Sequence, residues 1–316
     1  MPAPSICLAL VTYNQAPLLR YFLDNYFRYG AGIPLLVIDD GSEDGTAALL
    51  REAAAHPGVS IRHEPHASIA HARNMALRAC ATPWMAFSDT DCILGKTYFD
   101  TLAEIPSRFP LAAAVEGAVR PSPGPKPPFT HSMHNPTGGT YATANMVFQV
   151  ASALALGGFD EAFPFYREDA DLALTIIDRL GPIPFCPELI VEHPHLPRSF
   201  PNAVREAFGS QSRKIQAEMR LYSKHPRSYA LVRHYPDARG TLLAWCRKYS
   251  GLYLKECLGY LFRTPGLTAA QRLRGLTPAA EAVLVAILEQ TCIGAICAMR
   301  SGEIARLNGL PGSGKR

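Results

Sequence analysis

Three groups of acidic side chains in this 316-residue sequence stand where carboxylates need a reason to be. Asp39-Asp40-Gly41-Ser42 ends an apolar run, Asp89-Thr90-Asp91 ends a second, and Arg167-Glu168-Asp169-Ala170-Asp171 opens a helical pattern. Two acids one residue apart at a strand end suit a divalent cation with phosphate oxygens completing its shell. One would bind the metal and the other reach a ribose or a metal-bound water. By itself such a tripeptide is also ordinary turn and capping chemistry. Two acids at a buried strand terminus fit a ligand rich in donors, such as a base edge or ribose hydroxyls; capping of the following helix by Ser42 or Asp44 is compatible with that. The first-turn carboxylates Glu168, Asp169 and Asp171 are favoured by the helix dipole, so capping alone could place them there.

The surrounding pattern decides where these groups lie. Apolar strand runs at Ile6–Val11, Leu35–Ile38, Val59–His63 and Trp84–Ser88 alternate with helical patterns at Leu18–Tyr29, Asp44–Ala55 and Ala70–Ala79. Such alternation argues for an α/β fold with a mostly parallel sheet and helices on both faces. Ligands of these sheets bind at the carboxyl ends of the strands, which is where Asn14, Asp39-Asp40 and Asp89/Asp91 fall. Further strands are expected at Ala112–Val119 and Thr143–Phe148, and a short helix at Ala151–Leu156 closed by Gly157-Gly158. The proline-rich run Pro121 to Pro128 cannot be regular structure and reads as a mobile loop beside the site.

The run LALVTYN, then LLVIDDGSEDGT, ASIAHARNMALRACATPWMAFSDTD and GGFDEAFPFYREDADLAL, in this order and spacing, resembles the inverting family-two glycosyltransferases of GT-A fold over roughly residues 5–195. The resemblance implies a nucleotide-sugar donor (UDP-, GDP- or dTDP-linked), a glycan or lipid-linked acceptor, and Mn2+ or Mg2+ as cofactor. It implies that Thr12, Tyr13 and Asn14 lie beside the base, that Asp40, with Asp39 next to it, contacts base or ribose, and that Arg73 lies near the diphosphate. Asp89 and Asp91 match the metal motif, Asp91 the more direct ligand, and Asp169 in Glu168-Asp169 matches the catalytic base. Inversion demands one in-line attack, so a carboxylate opposite the leaving group must take the acceptor proton. His193 could add a metal ligand, or be a hydrogen-bonded structural histidine; His195 is the weaker candidate. Two departures are visible. Ala173-Leu174-Thr175 stands where many relatives carry an arginine, and Gln211-Ser212-Arg213-Lys214 only echoes the Gln-x-x-Arg-Trp signature of processive synthases, which favours single additions.

Residues 1–200 are expected to form the catalytic domain and 201–316 a mainly helical region. The latter is basic and amphipathic at 202–222 and 240–263, while 279–299 is apolar but interrupted by Glu281, Glu289 and Gln290 and so too polar for a spanning helix. These faces suit an anionic membrane surface, or simply packing on the catalytic domain or a second copy. A net charge of +4 does not call for nucleic acid, and none is expected as partner. Eight cysteines lack zinc-finger spacing, and the N-terminus reads as no signal peptide, so a cytoplasmic protein, peripheral to the membrane face or not, is expected. The tail Gly309-Leu-Pro-Gly-Ser-Gly314-Lys315-Arg316 imitates a P-loop but lacks the strand, the helix and the hydroxyl residue. The absence of Gly-x-Gly-x-x-Gly removes a dehydrogenase. A nucleotidyltransferase would need a glycine-rich basic loop where Thr12-Tyr13-Asn14-Gln15-Ala16-Pro17 stands. A catalytically silent sugar-nucleotide-binding scaffold is the alternative, and the joint presence of Asp40, Asp91 and Asp169 argues against it.

Overall fold

The structure, a computed structural model, describes residues 5–124, 130–197 and 211–229. Two compact units divide it, one formed by Met1–Pro121 with Met133–Pro194, the other by Ser122–Ser132 with His195–Arg316.

The first unit holds a seven-stranded sheet. Strands β1 (Ile6–Thr12), β2 (Leu35–Asp39), β3 (Val59–His63) and β4 (Trp84–Ser88) alternate with helices α1 (Ala16–Tyr29), α2 (Thr46–Ala53) and α3 (Ile69–Ala79). After β4 come α4 (Lys96–Arg108), β5 (Ala114–Pro121), a 3-10 turn at Thr143–Asn145, β7 (Met146–Gln149), α5 (Val150–Ala155), α6 (Glu168–Arg179) and β8 (Phe185–His193). The lateral order is β3-β2-β1-β4-β7-β5-β8. All neighbours are parallel except β7, which runs antiparallel to both β4 and β5. The mostly parallel α/β sheet read from the sequence is therefore present. The expected strand at Thr143–Phe148 begins later, because Thr143–Asn145 coil into the 3-10 turn.

Local chemistry explains these elements. α1 buries Leu19, Phe22, Leu23 and Tyr26, an i, i+3, i+4, i+7 stripe, and carries Pro17 in its first turn where a missing N–H costs nothing. Ser68 caps α3 by accepting from His71 N at 3.1 Å. Alternation along the strands divides the core between two faces. Ile6, Leu8 and Leu10 of β1 and Ala86 of β4 join α1, α2 and α4 in one cluster. On the other face Phe87, Phe148 and Phe159 meet edge to face with ring centroids 5.6–6.0 Å apart.

The chain leaves β1 toward β2 and β3 on one side and returns to β4 on the other. The crevice at the carboxyl ends of β1 and β4 is thus a topological switch point. Asp40 N donates to Thr12 O at 2.9 Å and Thr90 Oγ1 donates to Gln15 Oε1, tying the three strand-end loops together.

Of the second unit the structure describes a short antiparallel pair, β6 (Thr130–His131) with β9 (Leu196–Pro197), and helix α7 (Gln211–Lys224). Residues 125–128 of the Pro121–Pro128 run, the segments 240–263 and 279–299 and the P-loop-like tail lie outside the described residues. Among the described residues no helix is long and apolar enough to cross a membrane.

Candidate active site

At the ends of β1 and β2 the carboxylates of Asp39 and Asp40 and the amide of Asn14 are held by near neighbours. Asp39 and Asp40 are both buried. Asp39 Oδ1 accepts from Ser42 N at 3.1 Å, and its Oδ2 lies 3.0 Å from His63 Nδ1. Asp40 Oδ1 accepts from Ala67 N at 3.1 Å, and its Oδ2 lies 2.9 Å from His66 Nδ1. Each carboxylate thus has one backbone N–H and one imidazole. Asn14 takes a left-handed conformation (φ 51°) that aims its Oδ1 at Glu43 N (2.8 Å) and Asp44 N (3.3 Å), while its own N–H donates to Ser42 Oγ at 2.9 Å. Tyr13, 41% exposed, stacks on the His66 ring at 4.0 Å and 13°. The pair leaves an aromatic face open beside two buried carboxylates. Thr12 is buried beneath it.

The ends of β4 and α6 are assembled from distant segments. Arg73 of α3 is buried, donates from Nη1 to Glu168 Oε1 and holds Nη2 3.5 Å from Asp89 Oδ1. Its neighbour Asn74 clips the chain at Phe159 through two 2.8 Å bonds, Nδ2 to Phe159 O and Phe159 N to Oδ1. Gly158 (φ 72°) allows that approach, since a Cβ there would stand 2.4 Å from Asn74 Oδ1. Phe159 in turn lies under the Arg73 guanidinium, 5.9 Å from it.

Glu168 is 4% exposed. Burial pushes its pKa up to about 7, the negative charge of Asp169 adds to this, and Arg73 opposes it. Asp169 keeps part of its surface accessible, with Oδ2 3.4 Å from Thr143 N and Oδ1 accepting from Ala170 N at 2.7 Å. Arg167, in a left-handed conformation (φ 74°) before both, stores strain at the entry to α6. Asp171 is buried and its carbonyl accepts from Thr175 Oγ1 at 2.8 Å, in keeping with a structural place in the helix.

Asp89 and Asp91 are both partly accessible. The surrounding protein pushes the Asp89 pKa up, Arg73 opposes, and Asp91 and Asp169 add to the rise. His193, at the end of β8, is buried, with Nε2 3.4 Å from Asp91 Oδ2 and Nδ1 3.0 Å from Pro194 O. A carbonyl on Nδ1 fixes that nitrogen as the N–H, so Nε2 turns a lone pair toward a carboxylate oxygen. Two such acceptors are reconciled by a proton or a cation between them. One imidazole nitrogen and one carboxylate oxygen suit Mn2+, and also Mg2+, which keeps several waters and takes substrate phosphates. Among the described residues no three ligating side chains form a closed metal cluster.

The candidate residues therefore fall into two groups: Thr12, Tyr13, Asn14, Asp39 and Asp40 at β1/β2, and Arg73, Asp89, Asp91, Glu168, Asp169 and His193 around β4 and α6. His195 belongs to the second unit. His63 and His66 escaped the sequence reading. Their signal was positional: β3 pairs in register beside β2, so the residues that end it must adjoin Asp39 and Asp40.

Residues 7–152 match the sequence profile of Glycosyl transferase family 2. The pre-mycofactocin glycosyltransferases of two Mycobacterium tuberculosis strains are 27% identical over 238 residues, covering 68% of this chain and 47% of theirs; the chain spans about half the length of these relatives. The mannosyltransferase PcManGT from Pyrobaculum calidifontis, solved with GDP-Man and Mn2+, superposes with a TM-score of 0.55 at 18% identity over 95% of this chain and 87% of that one. S. aureus TarS 1-349 with UDP-GlcNAc gives a TM-score of 0.58 at 12% identity, over 94% of this chain and 92% of that one. The fold is that of the GT-A glycosyltransferases.

Proposed function

We propose that this chain, which carries a glycosyl transferase family 2 domain, moves a hexose-type sugar from a nucleoside-diphospho-sugar to an acceptor hydroxyl with inversion. The observation that carries the proposal is the side-chain cluster in which Arg73 joins Asp89 to Glu168, with the partly accessible carboxylate of Asp169 next in the chain.

The Tyr13 ring, Asp40 and the Thr12–Asn14 turn receive the base and ribose, with Asp39 holding the Ser42 turn in place. Asp91 and His193, with Asp89 beside them, would hold Mn2+ or Mg2+, which when bound offsets the charge that builds on the departing diphosphate. Asp169 accepts the proton of the attacking acceptor hydroxyl as its oxygen bonds to the anomeric carbon. The bond from that carbon to the diphosphate oxygen breaks on the opposite face. Glu168, buried against Arg73, keeps the guanidinium oriented toward Asp89 and the diphosphate. The donors in the solved relatives, GDP-Man and UDP-GlcNAc, make guanosine and uridine diphosphates the first candidates here, with the thymidine compound next.

The acceptor is a glycan or lipid-linked molecule of the cell envelope. The amphipathic α7, with Arg213, Lys214 and Arg220, would bring the protein peripherally to the cytoplasmic membrane face. Co-sedimentation with anionic vesicles at low salt tests this, and protein left entirely in the supernatant refutes it. The primary test is calorimetric titration with UDP, GDP and dTDP, with and without Mn2+, on wild type and Asp91→Ala. Metal-dependent binding of one nucleotide, lost in the variant, is expected. Binding to none would leave a catalytically silent scaffold.

A further inference from the structure

Glu116 lies in the middle of β5, within the apolar run AVEGAV, and is 2% exposed. A buried carboxylate is costly unless its charge is met by donors. Four converge on this one. Oε1 accepts from Asn135 Nδ2 (2.8 Å), Thr140 N (3.0 Å) and Tyr141 N (2.6 Å), and Oε2 accepts from Gly139 N (2.7 Å). Among the described residues no cation pairs with it.

Three successive backbone N–H groups reach one carboxylate only if the chain curls around it. Gly138 (φ 79°), Gly139 (φ 87°) and Tyr141 (φ 54°) supply that curl. A Cβ at Gly138 would stand 3.0 Å from Glu116 Oε2 and 2.9 Å from the Phe185 ring, so this wall admits no side chain. The far end of the same loop is fastened by Asn145, whose Nδ2 donates to Ala118 O and Leu189 O, both at 2.8 Å. Those carbonyls are exposed by the register shift between Gly117 and Ala118 where β5 meets β8. A segment clamped at both ends delivers, at its middle, the Thr143 N–H to Asp169 Oδ2 at 3.4 Å.

Resting on the reading of Asp169 as the proton acceptor, we infer that Glu116 is a positioning residue for the transfer step. Its carboxylate shapes the 138–143 loop so that the Thr143 N–H fixes the orientation of Asp169. Donor binding at β1/β2 does not depend on it. This role separates from plain structural support because it predicts a loss in turnover without a loss in donor affinity.

The substitution Glu116→Gln keeps the volume but replaces an acceptor oxygen by an NH2 group that faces backbone N–H donors. Expected are faster hydrogen exchange at the amides of Gly139, Thr140 and Tyr141, nucleotide affinity within about twofold of wild type, and kcat lower by at least about tenfold, since misplacing a catalytic group by 1 Å can cost about 100-fold. Unchanged exchange, unchanged kcat, or a parallel loss of donor affinity would each overturn the inference. Thr143→Pro supplies a second route if Glu116→Gln does not fold. Ala142 already has the extended backbone a following proline requires (φ −73°, ψ 131°), so the change deletes the N–H that reaches Asp169 Oδ2 and leaves the Ala170 N–H on Oδ1. It should reproduce the fall in kcat with donor affinity intact, and an unaltered kcat would refute the route through Asp169. Wild type inactive with every donor and acceptor would sink the transferase reading instead, and the exchange measurement would still decide whether Glu116 orders the loop.

Discussion

The two ends of the candidate site solve opposite electrostatic problems. At β1/β2, Asp39 and Asp40 each have an imidazole and a backbone N–H, supplied by the last residue of β3 and the loops that follow β2 and β3. Around β4 and α6, Asp89, Asp91, Glu168 and Asp169 share, among the described residues, one arginine and one histidine. In the first region both carboxylates are met by donors, and the partly exposed Tyr13 ring lies beside them. In the second, carboxylates outnumber cations among the described residues; burial raises the pKa of Asp89 and Glu168, and neighbouring carboxylates add to the rise. A preformed polar cradle suits a nucleoside, and a carboxylate cluster short of cations suits a metal ion with its phosphates. The same contrast says where substitutions should change binding and where they should change turnover.

The sharpest way to break the comparison is Asp169→Asn. General-base catalysis contributes roughly 10²–10⁴-fold, so turnover should fall by about 10³ while nucleotide affinity stays at the wild-type value. Transfer rates retained within tenfold would move the proton acceptor elsewhere. The excess of carboxylates is tested next by Glu168→Gln. The folded-state pKa of Glu168 is raised to about 7, so its favourable contribution is full below the ordinary carboxylate value and is lost as pH rises through about 7. The glutamine mimics the neutral acid and still accepts from Arg73 but does not titrate. In metal-free buffer its stability should gain on wild type as pH rises from 5 to 8, by about 3 kcal/mol at most. Urea titrations at the two pH values measure this, and parallel curves would show that the carboxylate is not held neutral.

The same two regions differ in how far they could be read from sequence. The four strand runs from Ile6 to Ser88 and their helices were legible because each is a local hydrophobic pattern. Asp40, Asp89 and Asp91 were legible because parallel sheets bring strand ends together. What escaped depends on pairing across the sheet. α4 (Lys96–Arg108) lacks a side-chain N-cap and carries Pro106, both of which weaken its signature. The antiparallel β7 sits between β4 and β5, an insertion no periodicity announces. Glu116 appears in sequence as a lone acid in an apolar run, and its partners sit 19 to 25 residues away in a loop of no regular pattern. The Arg73–Glu168 pair joins residues 95 apart, so residue types alone could suggest each member but not the contact.

Removing a ligand from the carboxylate cluster should matter less than removing its base. Asp91→Ala leaves His193 and Asp89 near the cation, so Mn2+-dependent nucleotide affinity should drop by about 10- to 100-fold, with metal-free affinity unchanged. Calorimetry with and without Mn2+ separates the two. An equal loss in both conditions would mean that Asp91 meets the nucleotide directly and that the lone pair of His193 Nε2 needs another partner.

The smallest effect belongs to the first region. His66 touches Asp40 with one edge and Tyr13 with its face, so it holds both without needing to contact the phosphates. His66→Ala frees the Tyr13 ring and leaves Asp40 with the Ala67 N–H. A stacking contact and one hydrogen bond to a charged group are each worth about 1 kcal/mol or somewhat more. Because part of this support serves the free protein as well as the complex, nucleotide affinity should weaken by about 3- to 10-fold, with kcat at saturating donor within about twofold of wild type. Competition binding with the free nucleosides sharpens the result. If the loss appears for the nucleoside as fully as for the diphosphate, the cradle acts on the base alone, as its self-sufficient hydrogen bonding implies. A loss confined to the diphosphate would tie the two regions together through the loops that Thr90 and Gln15 join, and the division between them would have to be given up.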